Sequence, residues 1–172
     1  DLDEQQVATM KEHNVPDWYI DSCNKIKYMF PRAHAVAYTM MSFRMAWYKV
    51  YYPQEFYATY FTTKVANFDA ETILKGKEAI LARMDEITAK GINASAKEKD
   101  DYTILEVAYE MYARGYEFTP ARLGKSDAVK FDVDDGKVLL PFVAIEGVGE
   151  TAARAFAEEY AAKPFDTIEE AV

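Results

Sequence analysis

Apolar residues recur at intervals of three and four along the first two thirds of the chain, a spacing that is typical of helices with one buried face. The longest helix that this spacing predicts runs from about Arg32 to Tyr51 and ends before Pro53. Stripes of aromatic residues and Met on a helix usually belong to a core. One such stripe comprises His34, Tyr38, Met41, Met45, Tyr48 and Tyr52, of which Met41, Met45 and Tyr48 are expected to be core.

Five further helices are indicated by capping and stop residues. They are a helix over about residues 3–12, a helix capped by Asp17, a helix with Pro53 in its first turn, a helix that is capped by Asp69 and runs to Lys90 before Gly91, and a helix that opens with a capping box at Ser95 and Glu98 and ends at Gly115.

The pattern changes in the last third of the chain. Residues 129–133 alternate between apolar and polar side chains, Asp135-Gly136 is a hairpin turn signal, and residues 138–143 supply a return strand. A helix follows to about residue 162, and residues 165–169 begin a last one. The sequence therefore predicts a fold that is mainly α with a small β-hairpin.

Length and composition set the broad class. The 172 residues are half hydrophobic, which suffices for a buried core. We place a boundary near Gly115, between an all-helical region 1–115 and a smaller, truncated α+β region 116–172. The single cysteine, Cys23, excludes a disulfide framework and a cysteine-based zinc site. No apolar stretch is long enough to span a membrane, so we expect a cytoplasmic protein.

The charge is distributed unevenly. The chain carries 20 Lys and Arg against 29 Asp and Glu, a net charge of −9, yet residues 22–54 contain five basic side chains and no acidic one. The same stretch holds eight aromatic residues and four of the seven Met. Basic groups among aromatic rings can hold phosphates and stack bases. The plainer alternative is a buried helix whose flanking cations are solvated.

A glycine turn precedes the helix near the end of the chain. Gly147 and Gly149 stand one residue apart, and a helix begins directly after them. The unpaired N–H groups of that helix start can hold a phosphate oxygen without reading a base. The spacing matches the helix-hairpin-helix of non-sequence-specific DNA-binding proteins. Glu146 and Glu150 beside the turn predict weak affinity.

A second constellation lies at the start of the long helix. Arg32 and His34 come first, and Tyr38 follows one turn after His34, which offers phosphate-binding groups followed by a ring. Asp132 and Asp134 superficially offer a pair of carboxylates for two Mg²⁺ ions, but they lead straight into a turn, and we interpret them as structural.

Five blocks together resemble the PolC-type bacterial DNA polymerase III family. They are residues 18–38, with Lys-Tyr-Met-Phe-Pro-Arg-Ala-His-Ala-Val-Ala-Tyr at 27–38, and residues 44–53, 57–62, 114–116 and 141–150. The first block favours PolC over the related DnaE-type subunit. The family usually has Lys where this chain has Arg32, and the charge is kept.

The resemblance implies a fragment: the fingers in residues 1–115 and the beginning of the duplex-binding domain, with its helix-hairpin-helix, in residues 116–172. The parent would be a replicative DNA-directed DNA polymerase. Its catalytic aspartates and the Mg²⁺ ions that they hold would lie in a palm domain outside this fragment, so the fragment contains no catalytic residue and is expected to be inactive and monomeric.

The resemblance also implies roles for particular residues. Partners of the parent would be primer-template DNA, a nucleoside triphosphate and, through other regions, a sliding clamp and replisome proteins. The triphosphate and the nascent base pair would be bound by Lys27, Arg32, His34, Tyr38 and Arg44, and the DNA backbone by Gly147, Val148, Gly149, Glu150 and Thr151.

Two other classes remain open at this point. An autonomous helix-hairpin-helix module would need substantial DNA affinity of its own. An acidic helical interaction domain would not contact nucleic acid at all.

Overall fold

The computed structural model describes residues 2–26, 32–165 and 167 of the chain. Most of these residues are helical, and a small sheet lies between the seventh and the eighth α-helix of the chain. The predicted fold class, mainly α with a small β-hairpin, is confirmed. The helices are α1 (Glu4–Glu12), α2 (Asp17–Lys25), α3 (Arg32–Tyr51), α4 (Pro53–Thr63), α5 (Ala70–Leu74), α6 (Lys77–Lys90), α7 (Ala96–Ala113) and α8 (Glu150–Ala162), and the strands are β1 (Phe118–Thr119), β2 (Asp132–Asp134) and β3 (Lys137–Leu139).

Local capping explains where several helices begin. The Ser95 hydroxyl accepts a hydrogen bond from the Glu98 amide, and the Glu98 carboxylate accepts one from the Ser95 amide, so the predicted capping box of α7 is confirmed. Asp69 caps α5 by accepting from the Thr72 amide. The predicted cap at Asp17 is wrong, because Pro16 is the N-cap of α2 and Asp17 is already helical.

The single helix predicted from Asp69 to Lys90 is divided in the structure. Gly76 has a φ of +96°, which interrupts the helix and separates α5 from α6. Gly91 ends α6 as predicted, with a φ of +53°. The long helix α3 has the predicted bounds, since Pro53 occupies the first position of α4 and disfavours a helical Tyr52.

The sheet has the strand order β1-β3-β2. Strands β2 and β3 form the predicted hairpin, in which Val133 pairs with Val138. Asp135 and Gly136 both have a positive φ, as the mirror-image turns of tight hairpins require. The strands are shorter than predicted, and the parallel pairing of β1 with β3 was not predicted.

The chain divides into two compact units, residues 1–44 and residues 45–172. In the first unit, Ile20 of α2 is the buried hydrophobic residue among those described. The second unit holds a cluster that joins helices and strands, in which Phe61 and Phe118 are in ring contact at 5.1 Å between centroids. The buried members of this cluster are Tyr57, Ala58, Phe61, Phe68, Ile73, Ile80, Ile87, Ala94, Ile104, Leu105, Ala108, Met111, Phe118, Phe131, Val138, Leu140 and Ala144.

This cluster contains residues from both sides of Gly115. Leu105 of α7 and Phe118 of β1 are both buried in it. A smaller cluster of Ala128, Phe142 and Ala153 fixes α8. The division of the chain into regions 1–115 and 116–172 therefore stays a prediction about the domains of the parent.

The surface of α3 differs from the expectation. Met41, Met45 and Tyr48 are each about half exposed, and no residue of α3 is buried among the described residues. The expectation that these three residues are core is therefore wrong for this chain, because the described residues do not cover that face.

Across the described ranges, no helix combines the length and the apolar character needed to cross a membrane.

We expect Phe118→Ala to destabilise the helices and the hairpin of the second unit together. Loss of a buried Phe side chain should lower the free energy of unfolding by about 3–5 kcal/mol. Native-state hydrogen exchange would measure this loss at amides of α7 and of β3. The control is Ile92→Ala, since Ile92 is 95% exposed, and we expect it to change the free energy by less than about 0.5 kcal/mol. A loss confined to β3 would mean that the hairpin is stabilised independently.

Stability should also fall at acidic pH because of Glu98. A hydrogen bond from Lys90 and a second one from the Ser95 amide lower the pKa of Glu98 from 4.5 to about 2. A lowered pKa stabilises the fold above pH 4.5, and the contribution is lost as pH falls toward 2. Urea unfolding between pH 4.5 and 2 would measure the free energy of unfolding. This free energy should fall less steeply with pH for Glu98→Gln than for the unaltered chain. The control is Glu158→Gln, which removes an exposed carboxylate and should show the same pH dependence as the unaltered chain.

Candidate nucleic-acid interface

Helix α3 carries four of the five residues predicted to bind the nucleotide. A helix turns by about 100° per residue, so Arg32 and His34 point in directions about 160° apart. His34 and Tyr38 stand four residues apart, and their rings are in contact at 4.4 Å between centroids. Tyr38 is 65% exposed. The structure therefore brings His34 and Tyr38 together on an accessible face.

Arg32 and Arg44 lie away from this ring pair. Arg32 lines a shallow depression on another side of α3 together with Val36 and Phe43. The Arg44 guanidinium approaches the Met41 sulfur at 3.9 Å. Lys27, the fifth predicted residue, lies outside the described residues.

The last turn of α3 is held by Arg114, which belongs to the block at residues 114–116 but was not predicted to have a role. Its guanidinium donates one hydrogen bond to the Lys49 carbonyl and another to the Tyr57 hydroxyl, each at 3.0 Å. Lys49 also forms an ion pair with Glu110 at 2.7 Å. The α3 end is thereby attached to α4 and α7.

The same network changes the titration of its members. Burial raises the pKa of the Tyr57 hydroxyl to about 12, while the hydrogen bond from Arg114 acts in the opposite direction. Tyr57 in turn raises the pKa of the Arg114 guanidinium. Tyr57 is therefore neutral and Arg114 charged at every ordinary pH, which keeps the attachment of α3 constant.

The glycine turn near the C-terminus has the predicted backbone. Gly147 has a φ of +82°, in the left-handed region that favours glycine, and Gly149 is the N-cap of α8. The Val148 amide donates to the Ile145 carbonyl at 3.1 Å and closes the turn. On the N-terminal side the turn is preceded by a single 3-10 turn, Phe142–Ala144, rather than by a full helix.

The start of α8 presents backbone donors. No side chain among the described residues caps this end, and the first amides of any helix lack partners inside it. Thr151 is exposed there. The Glu150 carboxylate accepts hydrogen bonds from Arg154 at 2.7 and 2.9 Å, which offsets part of its negative charge.

Asp132 and Asp134 have structural surroundings. They form β2, and the Asp134 carboxylate pairs with Lys125 at 2.7 Å and with Arg122 at 3.1 Å. The hydrogen bond from Lys125 lowers the Asp134 pKa. Their interpretation as strand and turn residues is confirmed. In the part of the chain that the structure describes, no group of three or more His, Cys, Asp or Glu side chains could hold a metal ion.

Known proteins resemble this chain along most of its length. No protein-family model matches it. Three relatives are each described as "DNA polymerase III PolC-type": one from Clostridium perfringens is 53% identical over 91% of this chain, one from Caldanaerobacter subterraneus 52% over 97%, and one from Bacillus subtilis 51% over 84%. The aligned part is 11%, 12% and 10% of these relatives, respectively.

The chain thus spans about a ninth of the length of the curated relatives that it matches, and it shares about half of its residues with them. This level of identity over nearly the whole chain confirms the resemblance found in the sequence blocks. The chain belongs to the PolC-type DNA polymerase III family, as the counterpart of one segment of those proteins.

Proposed function

We propose that this chain is the fingers segment and the beginning of the duplex-binding domain of a bacterial replicative DNA-directed DNA polymerase. The observation that carries the proposal is the identity of about 50% with PolC-type DNA polymerase III over about nine tenths of the chain. The ring pair on α3, in which Tyr38 is exposed, and the glycine turn before α8 supply the groups that such a segment needs.

The first role is to hold the incoming nucleotide. Phosphoryl transfer depends on positioning the triphosphate and on stabilising its charge, and neither task needs covalent chemistry. His34 provides a ring nitrogen for a phosphate oxygen, and Tyr38, in contact with it, packs against the nascent base pair. Because α3 is a regular helix here, both rings keep a fixed spacing.

Three further cations precede or follow this pair in the sequence. We assign Lys27, Arg32 and Arg44 to the triphosphate as well. Arg32 starts α3 on a different side from His34, so its assignment rests on the family resemblance rather than on the ring geometry. The absence of Asp and Glu from residues 22–54 favours an anionic ligand along this helix.

The second role is contact with the DNA backbone. The turn and helix start at Gly147, Val148, Gly149, Glu150 and Thr151 offer backbone N–H groups to a phosphate oxygen. Such contacts carry no sequence information. The carboxylates of Glu146 and Glu150 keep the affinity of the isolated chain low.

The intact polymerase would supply what this segment lacks. Carboxylates outside these residues would hold the Mg²⁺ ions that activate the primer end, and other regions would bind the sliding clamp and replisome proteins. Primer-template DNA and a nucleoside triphosphate are the substrates, and the enzyme acts in the cytoplasm. The chain alone is a monomer without polymerase activity.

We expect His34→Ala and Tyr38→Ala to impair nucleotide incorporation by the intact polymerase. Loss of one positioned contact should lower kcat/KM by about 10- to 100-fold, which steady-state incorporation kinetics would measure. His13→Ala is a matched control, since His13 is the other histidine of the chain and contacts the Thr9 carbonyl of its own helix. Unchanged kcat/KM in both α3 variants would remove the site assignment.

Duplex DNA should bind the isolated chain only weakly. At low salt we expect NMR shifts at the amides of residues 147–151, and these should vanish near physiological salt because phosphate contacts release counterions. The amide of Gly91, at a glycine turn that ends a helix, is the control. An unaltered spectrum would favour an acidic interaction domain, and firm binding at physiological salt would favour an autonomous DNA-binding module.

A further inference from the structure

A second apolar line runs along α3, separate from the face that carries His34 and Tyr38. It consists of Val36, Met40, Phe43, Trp47 and Val50, which we call the α3 seam. Their spacing alternates between four and three residues. Each of them is between 49% and 73% exposed.

This spacing is the signature of helix-to-helix packing. Apolar residues that alternate at intervals of four and three form the contact line of packed helices and of coiled coils. No charged residue interrupts the line. The α3 seam is therefore patterned for a helical neighbour, which is absent among the described residues.

The exposed area is large for a free surface. A fully buried aromatic side chain removes about 150–250 Å² from water. Five large side chains that are about half exposed thus present several hundred Å², at or above the largest patch of an ordinary monomer. A helix that is apolar on more than one face is typically buried within a larger protein.

The α3 seam lies on a different side of the helix from the His34 and Tyr38 rings. At about 100° per residue, each seam residue points more than about 100° away from His34 and from Tyr38. A ligand on one face therefore leaves the other face available. Arg32 stands at the start of the seam, and Arg44 flanks it.

Charge and length identify the occupant. A nucleic-acid strand would need cations along the whole line, whereas the five seam positions from Val36 to Val50 hold none. A second copy would add its own Arg32 and Arg44 to the interface, with no Asp or Glu between residues 22 and 54 to compensate. About nine tenths of the length of the curated relatives lies outside the matched segment, which provides ample chain for a covering helix.

We propose that the α3 seam is the docking line for a helix of the same polymerase chain, from outside these 172 residues, that presents an apolar stripe flanked by carboxylates. This contact buries the side of α3 that faces away from His34 and Tyr38. This proposal rests on the membership of the PolC-type family and not on the proposed roles of His34 and Tyr38.

Cysteine labelling of the intact polymerase tests this proposal. Phe43→Cys and, as the control, Ile92→Cys are reacted with a maleimide in the absence of DNA, and peptide-resolved mass spectrometry gives each rate. Both parent side chains are more than 70% exposed in the present chain. Cover by the polymerase should slow labelling at position 43 by roughly tenfold or more relative to position 92.

Three outcomes would overturn the proposal. Equal rates at the two positions would mean that the α3 seam is open in the polymerase. Protection that requires added DNA would assign the line to nucleic acid. Protection that rises with protein concentration, together with dimers in sedimentation, would assign it to a second copy.

A second pair of variants reports on the energy of the contact. Phe43→Glu would place a carboxylate in an apolar interface of the intact polymerase and should lower its melting temperature by several degrees, whereas Ile92→Glu should not change it. Equal melting temperatures for the two variants would contradict the proposal. Nucleotide incorporation by Phe43→Cys is measured in parallel. This measurement tests whether the seam variant affects nucleotide binding, so that a failure of the seam proposal can be distinguished from a failure of the nucleotide-binding proposal.

Discussion

The packing of aromatic rings around Phe61 is the interaction on which the second unit depends. Phe61 is fully buried and contacts the rings of Phe68, Phe118 and Phe131 at 5.1 to 5.9 Å between centroids. These four residues come from α4, from the loop after it, from β1 and from the segment before β2. Edge-to-face and tilted contacts of this kind stabilise a core beyond the burial of area. One side chain thus holds together segments that are far apart in the sequence.

This aromatic core also supports the end of α3. Tyr57 stacks beside Phe61, and its hydroxyl accepts a hydrogen bond from Arg114, which also holds the Lys49 carbonyl. Burial of this hydroxyl raises the pKa of Tyr57 to about 12. A buried hydrogen bond that is charged on one side costs free energy when broken. The last turn of α3 is therefore attached to the buried aromatic core of the unit.

Sequence patterns located features that depend on neighbouring residues. The capping box at Ser95 and Glu98 and the turn at Asp135-Gly136 need only a few residues, and both were predicted in place. Pairings between distant residues were not predicted. Phe118 of β1 pairs with Val138 of β3, about twenty positions further along the chain, and no local sequence pattern indicates this pairing. The break at Gly76 was missed because apolar residues keep helical spacing on both sides of it.

In the candidate site, too, contacts between residues close in the sequence were predicted and contacts between distant residues were not. The sequence placed His34 and Tyr38 on one face, since a spacing of four residues is enough to do so. It did not reveal Arg114, because the partners of this side chain, Lys49 and Tyr57, come from α3 and α4. It was wrong about the burial of Met41, Met45 and Tyr48, because a pattern shows that a face is apolar and not whether this chain covers it.

The two proposed contacts of α3 account for its amino-acid composition. A surface helix of a small protein needs one apolar stripe, and its other positions are free to be charged. Here one face carries the ring pair and the other carries the α3 seam, so few positions are left for charged side chains. Under the two proposed roles, acidic residues would repel phosphates on one face and lie against apolar neighbours on the other. The negative charge of the chain then lies elsewhere, which accounts for a long segment without a single carboxylate side chain in a chain with a net charge of −9.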